Sequence, residues 1–136
     1  MDLRNEIESS QHDKLVLMMA QHFKQLGYSN ITADITGWTK PNSIYWTNNP
    51  DKKFYPDLMC KDALGVLVIL EAETCNNLND EHTREQFRIF RAFANNENGR
   101  FEVVVPKICS GGSGRELITK YSNDWNIKFD NVWTPG

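Results

Sequence analysis

Between residues 10 and 26 the hydrophobic positions recur at helical spacing, with Leu15, Met18, Met19, Phe23 and Leu26 on one side. Ser10 is a candidate N-cap with Asp13 three residues on, Asp2 offers an earlier start, and Gly27 is a stop signal. The pattern then changes period. "NITADI" (30–35) alternates Ile31, Ala33 and Ile35, as a half-buried strand does. Residues 37–53, with Pro41, Pro50 and several Asn, read as a loop with room for a short strand at Ile44–Trp46. "FYPDLMCK" predicts a strand whose start is marked by Pro56, and "KDALG" a turn. "VLVIL" (66–70) is the continuous apolar run of a strand covered on both faces. Residues 79–94 predict a helix starting near Asn79 or Asp80, its inner stripe formed by Phe87, Phe90 and Phe93 or Ala94. "FEVVV" (101–105) is a second buried strand, "CSGGSG" a flexible loop, and 114–125 a last helix. Residues 127–133 complete the pattern as a strand at the sheet edge. The order α, β, β, β, α, β, α, β places the chain in the α/β class: one domain over residues 1–136, with a single central mixed sheet flanked by helices.

Length and composition narrow this further. A chain of 136 residues supports one domain with a real core, and 40% hydrophobic with 24% charged residues is ordinary for a globular protein. No apolar run reaches the length of a membrane span, and "MDLRNEIESS" is too polar for a secretion signal. Cys60, Cys75 and Cys109 form no CxxC pair, and their odd number argues against a disulfide framework and a zinc site. A reducing, cytoplasmic location is the simplest expectation. A net charge of −3 does not mark a nucleic-acid binder, although a local basic face is compatible with it.

The chemistry concentrates in "YPDLMCKDALGVLVILEAET" (55–74). Alternation along a strand puts Glu71 and Glu73 on one face, and a hairpin brings Asp57 beside them. Burying charge is costly unless it is paired or holds a metal. So either the strand end lies at the surface or the acids share a cation; clustered carboxylates are a hard oxygen site for Mg²⁺. Taken singly, Asp57 is a turn residue after Pro and the two Glu a solvated strand end; taken together after "VLVIL" they favour a metal site. Arg84, Arg88 and Arg91 share a helix face, either as phosphate contacts or as a solvated face paired with Asp80, Glu81 and Glu85. "SGGSGRELI" lacks the Gly-Lys-Ser/Thr ending of a phosphate loop, so no nucleotide cofactor is expected. His22 and His82 lack a second ligand at metal spacing. Trp38, Tyr45 and Trp46 either stack on bases or cover a core edge.

Pro56-Asp57, then Glu71-Ala72-Glu73 at the end of the next strand, resembles the PD-(D/E)XK nuclease superfamily, with an αβββαβ core matched over residues 10–105. The resemblance implies a restriction-endonuclease-like fold and Mg²⁺- or Mn²⁺-dependent hydrolysis of phosphodiesters in DNA. Asp57 and Glu71 would bridge the metal, with Glu73 a further ligand or a base orienting water. Glu73 departs from the family's Lys, and Lys61, four residues after Asp57, is a candidate substitute cation. From the first helix the family often adds a ligand; Glu8 or His12 is favoured here over Asp13. Gln86 matches a Gln that some branches carry on the following helix. A homodimer is expected by resemblance. The rival reading is a module that kept the fold without catalysis and binds nucleic acid or a protein partner. A third is a subunit active only in a complex, docking through residues 37–53.

Overall fold

The computed structural model describes the backbone of residues 3–77 and 81–136 and the side chains of residues 9–76 and 81–136. Helix α1 runs over Leu3–Gln25, about two turns earlier than a Ser10 cap would allow. Residues 3–9 contain no breaker, so the helix extends upstream and Ser10 sits inside it, exposed. The other start candidates, Asp2, Asn79 and Asp80, lie outside the described residues. The C-terminal stop is where the Gly signal put it. Gly27 takes φ +81, Gly27 N–H donates to Lys24 O, and Tyr28 N–H donates to Phe23 O. The Tyr28 and Phe23 rings stack at 4.9 Å, completing a Schellman motif with its apolar contact.

Strands β1 (Ser29–Ala33), β2 (Leu58–Lys61), β3 (Leu67–Ala72), β4 (Arg100–Val104) and β7 (Asn131–Trp133) form a five-stranded mixed sheet in the order β1-β2-β3-β4-β7. β1–β2 and β2–β3 pair antiparallel; β3–β4 and β4–β7 pair parallel. Helix α2 (Glu81–Asn96) supplies the crossover from β3 to β4, and α3 (Gly114–Trp125) precedes β7. Alternation divides the core in two. Val68, Leu70, Ala72, Leu58 and Cys60 face Leu15, Val16, Met19, Ala20 and Phe23 of α1. Ile69, Phe101, Val103 and Val105 face Phe87, Phe90, Ala94 and Ile118 of α2 and α3. "VLVIL" is therefore covered on both sides. The last strand is shorter than its alternation predicted: Ile127 and Phe129 enter the second core from irregular chain before β7 begins.

Two expectations are corrected here. Cys75 and Cys109 form a disulfide, with Cα atoms 5.6 Å apart, and only Cys60 remains free. Cysteines 34 residues apart in sequence become neighbours through the parallel pairing of β3 and β4, which spacing alone does not reveal. The "CSGGSG" segment is a small hairpin, β5 (Ile108–Cys109) with β6 (Gly112–Ser113), tied down by that bridge. Ser113 then caps α3, its Oγ accepting from Glu116 N–H at 3.0 Å. At Gly114 a Cβ would stand 1.9 Å from Pro106 O. Gly114→Ala is thus expected to lower stability by roughly 1–3 kcal/mol in urea unfolding, since backbone must shift to admit the methyl.

Among the described residues no helix is long and apolar enough to cross a membrane.

Candidate functional site

Pro56 is buried and the chain bends at Asp57 just before β2. Two hydrogen bonds lock this bend to the end of β3. Asp57 N–H donates to Glu71 Oε2 at 2.7 Å, and Ala72 N–H donates to Asp57 Oδ2 at 2.9 Å. Glu71 shares the sheet face of Ile69, under α2, and is only 2% exposed. Glu73 follows on the same face and is also buried; its backbone N–H donates to Val104 O, prolonging the β4 contact beyond the strand. From the opposite layer α1 sends His12, whose Nε2 lies 3.2 Å from Asp57 Oδ1 while its Nδ1 lies 3.1 Å from Asp13 Oδ1.

These groups line a cleft of about 240 Å³ at one end of the sheet: His12, Asp57, Glu71, Ala72, Glu73, His82, Thr83 and Gln86. Asp57, Glu71, Glu73, His12 and Gln86 were singled out from sequence; His82 and Thr83 complete the wall because α2 starts beside the acids. Glu8 belongs to α1, but its side chain lies outside the described residues. A larger groove, about 540 Å³ between α1 and Ile35–Thr36, brings fewer acids together, Asp13 alone among its lining side chains.

The electrostatics follow from this crowding. Burial pushes the Glu71 carboxyl well above the usual carboxylate range, and the charges of Asp57 and Glu73 push it the same way. Glu71 therefore holds its proton to higher pH than a free carboxyl does. The hydrogen bond to Asp57 raises His12 from 6.5 to about 9, more than burial lowers it. With a carboxylate at each ring nitrogen His12 is an imidazolium, which has no lone pair to offer a metal in this state.

Among the described residues, no three His, Cys, Asp or Glu side chains are arranged to hold an ion as they stand. Convergence of Asp57, Glu71 and Glu73 into one cleft thus falls short of the expected ready-made ligand set. Both Asp57 oxygens and one of Glu71 are engaged in hydrogen bonds. The donor chemistry nonetheless suits Mg²⁺ or Mn²⁺: hard carboxylate oxygens, crowded so that the charges of Asp57 and Glu73 hinder ionisation of Glu71, a cost that a cation would relieve.

Lys61 is not part of this cleft. It ends β2, paired with Leu67, about 13 Å along the strand from Asp57 at about 3.3 Å per residue. There it lines a separate groove with Asn30, Thr39, Lys40 and Asn42. The arginine stripe is divided. Arg91 Nη1 donates to Asp130 Oδ2 at 2.7 Å and to Lys128 O at 3.0 Å, clamping the approach to β7. Arg84 lies 3.8 Å from Glu81, and Arg84 and Arg88 with His82 line a groove that meets the acid cleft at His82.

A second charged cluster at the other end of the sheet is structural. Arg100 binds Asp62 at 2.6 Å and the buried Glu102 at 2.9 Å, and Trp133 Nε1–H donates to Glu102 at 2.7 Å. Its sequence signal was a carboxylate inside "FEVVV". No protein-family model, no curated protein and no solved structure matches this chain.

Proposed function

We propose that this chain is a divalent-metal-dependent nuclease with a restriction-endonuclease-like core, hydrolysing phosphodiesters in DNA. One observation carries the proposal: a fully buried Glu71 set against Asp57 and Glu73. The backbone N–H groups that Asp57 and Glu71 satisfy would be served as well by Asn and Gln. Carboxylates at both places cost desolvation and mutual repulsion, and they return it when they take up a cation. Element order and the mixed pairing of β1 to β4 support the fold assignment.

In this role Asp57 and Glu71 would hold Mg²⁺ or Mn²⁺, with Glu73 beside them. The bound ion supplies Lewis acidity toward a phosphoryl oxygen and a more acidic water. The chain's own residues do the rest. Asp57 is fixed by Ala72 N–H and His12, so its carboxylate points into the cleft without side-chain freedom to lose. The imidazolium of His12 puts positive charge beside the acids, where Lys61 does not reach. Gln86, which lines the same cleft as His12, would donate a hydrogen bond to a phosphate or a water. Arg84 and Arg88 extend the cleft with positive charge for a neighbouring phosphate. A homodimer belongs to the same proposal by resemblance. The cytoplasmic placement belongs to it too, though of the cysteines on which it rested only Cys60 is free.

The distance of Lys61 from the acids favours a second reading, a module that binds nucleic acid or protein without cutting. Calorimetry with Mg²⁺ and Mn²⁺, paired with cleavage of plasmid and single-stranded DNA, separates the two. Metal binding together with chelator-sensitive cleavage is the expected result. Neither binding nor cleavage under either metal would leave the non-catalytic module in its place.

A further inference from the structure

The loop expected over 37–53, with room for a short strand at Ile44–Trp46, is closed beside the acid cleft by one antiparallel bridge between Ile44 and Phe54. Ile44 and Phe54 exchange both backbone hydrogen bonds, at 2.7 and 2.8 Å, and their side chains are buried at 4% and 3% exposure. Alternation about this pair puts Tyr45 and Tyr55 on the opposite, outer side, and both are half exposed, at 47% and 54%. Lys53, next to Phe54 in the chain, is exposed as well. Two half-exposed rings and an exposed lysine thus make up the outer face at this bridge.

That face is held against the site. On the buried side of the bridge Phe54 stacks on His82, a wall residue of the cleft, with centroids 6.4 Å apart. Lys52 Nζ meets Glu85 of α2 at 2.6 Å. Tyr55 is two residues before Asp57, so their Cα atoms are at most about 7 Å apart.

We infer that Tyr45 and Tyr55 are a base-stacking platform, and that the preferred substrate is single-stranded nucleic acid or a frayed end. Nucleobases in a duplex are stacked on one another and present only their edges in the grooves. An exposed ring gains a partner only from an unstacked base, and stacking is tolerant of base identity because each base has a π face. Lys53 adds a backbone phosphate contact, a charge that an apolar protein partner would have to bury unpaired. The inference rests on the nucleic-acid part of the proposed function and names its substrate class.

The test is fluorescence anisotropy in chelator, so that nothing is cut, with a labelled oligodeoxythymidine strand and a labelled duplex of equal length. The wild type is expected to bind the strand at least about 10-fold more tightly than the duplex. Tyr45→Ala with Tyr55→Ala should weaken strand binding about 5-fold or more per ring and leave the duplex unchanged, while Tyr45→Phe with Tyr55→Phe restores it. Both rings are exposed, so the melting temperature should hold in each variant. Equal affinity for strand and duplex, or an alanine pair that binds like wild type, overturns the platform. So does an alanine pair that turns a wild-type dimer into a monomer, which would mark the face as a contact between copies. Strand preference that depends on the tyrosines, in a protein that never cleaves, keeps the platform and removes the nuclease. Cleavage without strand preference does the reverse.

Discussion

Asp57→Asn is expected to reduce metal-dependent cleavage to the level of the chelator control, a loss of roughly 10³-fold or more, while the melting temperature moves by only a few degrees. The asparagine keeps an oxygen for Ala72 N–H, and the backbone N–H of residue 57 still reaches Glu71. Two opposing effects then nearly cancel. His12 loses its main partner, on the order of 2 kcal/mol near pH 7 from a value that stands at about 9 with Asp57 present. Glu71 loses the first of the neighbouring charges that hinder its ionisation. A residue kept for stability alone would show the opposite pattern, a large fall in melting temperature with activity in proportion. The measurements are cleavage with Mg²⁺ or Mn²⁺ and thermal unfolding on the same preparation. Cleavage within about tenfold of wild type would remove Asp57 from the chemistry.

The second large effect is on the pH profile of stability. Glu71 keeps its proton in the folded protein at pH values where the unfolded chain, near 4.5, has released it. Proton uptake favours the native state there, so stability falls as pH rises, by up to about 1.4 kcal/mol per unit until the folded group titrates. His12 acts with the same sign over its own window: its contribution is full below 6.5 and lost as pH rises through about 9. Glu71→Gln removes the first slope and leaves the second. The amide carries no charge to titrate, and its oxygen can accept from Asp57 N–H as the Glu71 carboxyl does. Urea midpoints of wild type and Glu71→Gln should coincide below pH 4.5 and separate as pH rises above it, with the variant the more stable. Parallel profiles would mean that Glu71 ionises freely in the folded state.

What could be read from the chain, and what could not, divides along the range of the interactions. Periodicity found both layers of the core because Leu15, Met19 and Phe23, or Phe87 and Phe90, are set by neighbours within one element. Parity along β3 found Glu71 and Glu73, and the hairpin before it brought Asp57 to them. Lys61 failed for a reason of length: sharing a strand face with Asp57 does not shorten the distance along the strand. Arg91 looked equivalent to Arg84 and Arg88 on its own helix, but its partner Asp130 lies 39 residues away. The Cys75–Cys109 bridge was hidden in the same way, since parallel pairing across a helix brings together positions that local spacing keeps apart.

That bridge makes a covalent ring of the chain, with all of α2 and β4 inside it. An unfolded ring has fewer conformations than an open chain. For a separation of 34 residues the chain-entropy account gives about 4 kcal/mol in favour of the folded state. A domain of this size has only about 5–15 kcal/mol of net stability. A sizeable share of it is therefore set by the thiol–disulfide potential of the surroundings, which no side chain in the cleft controls.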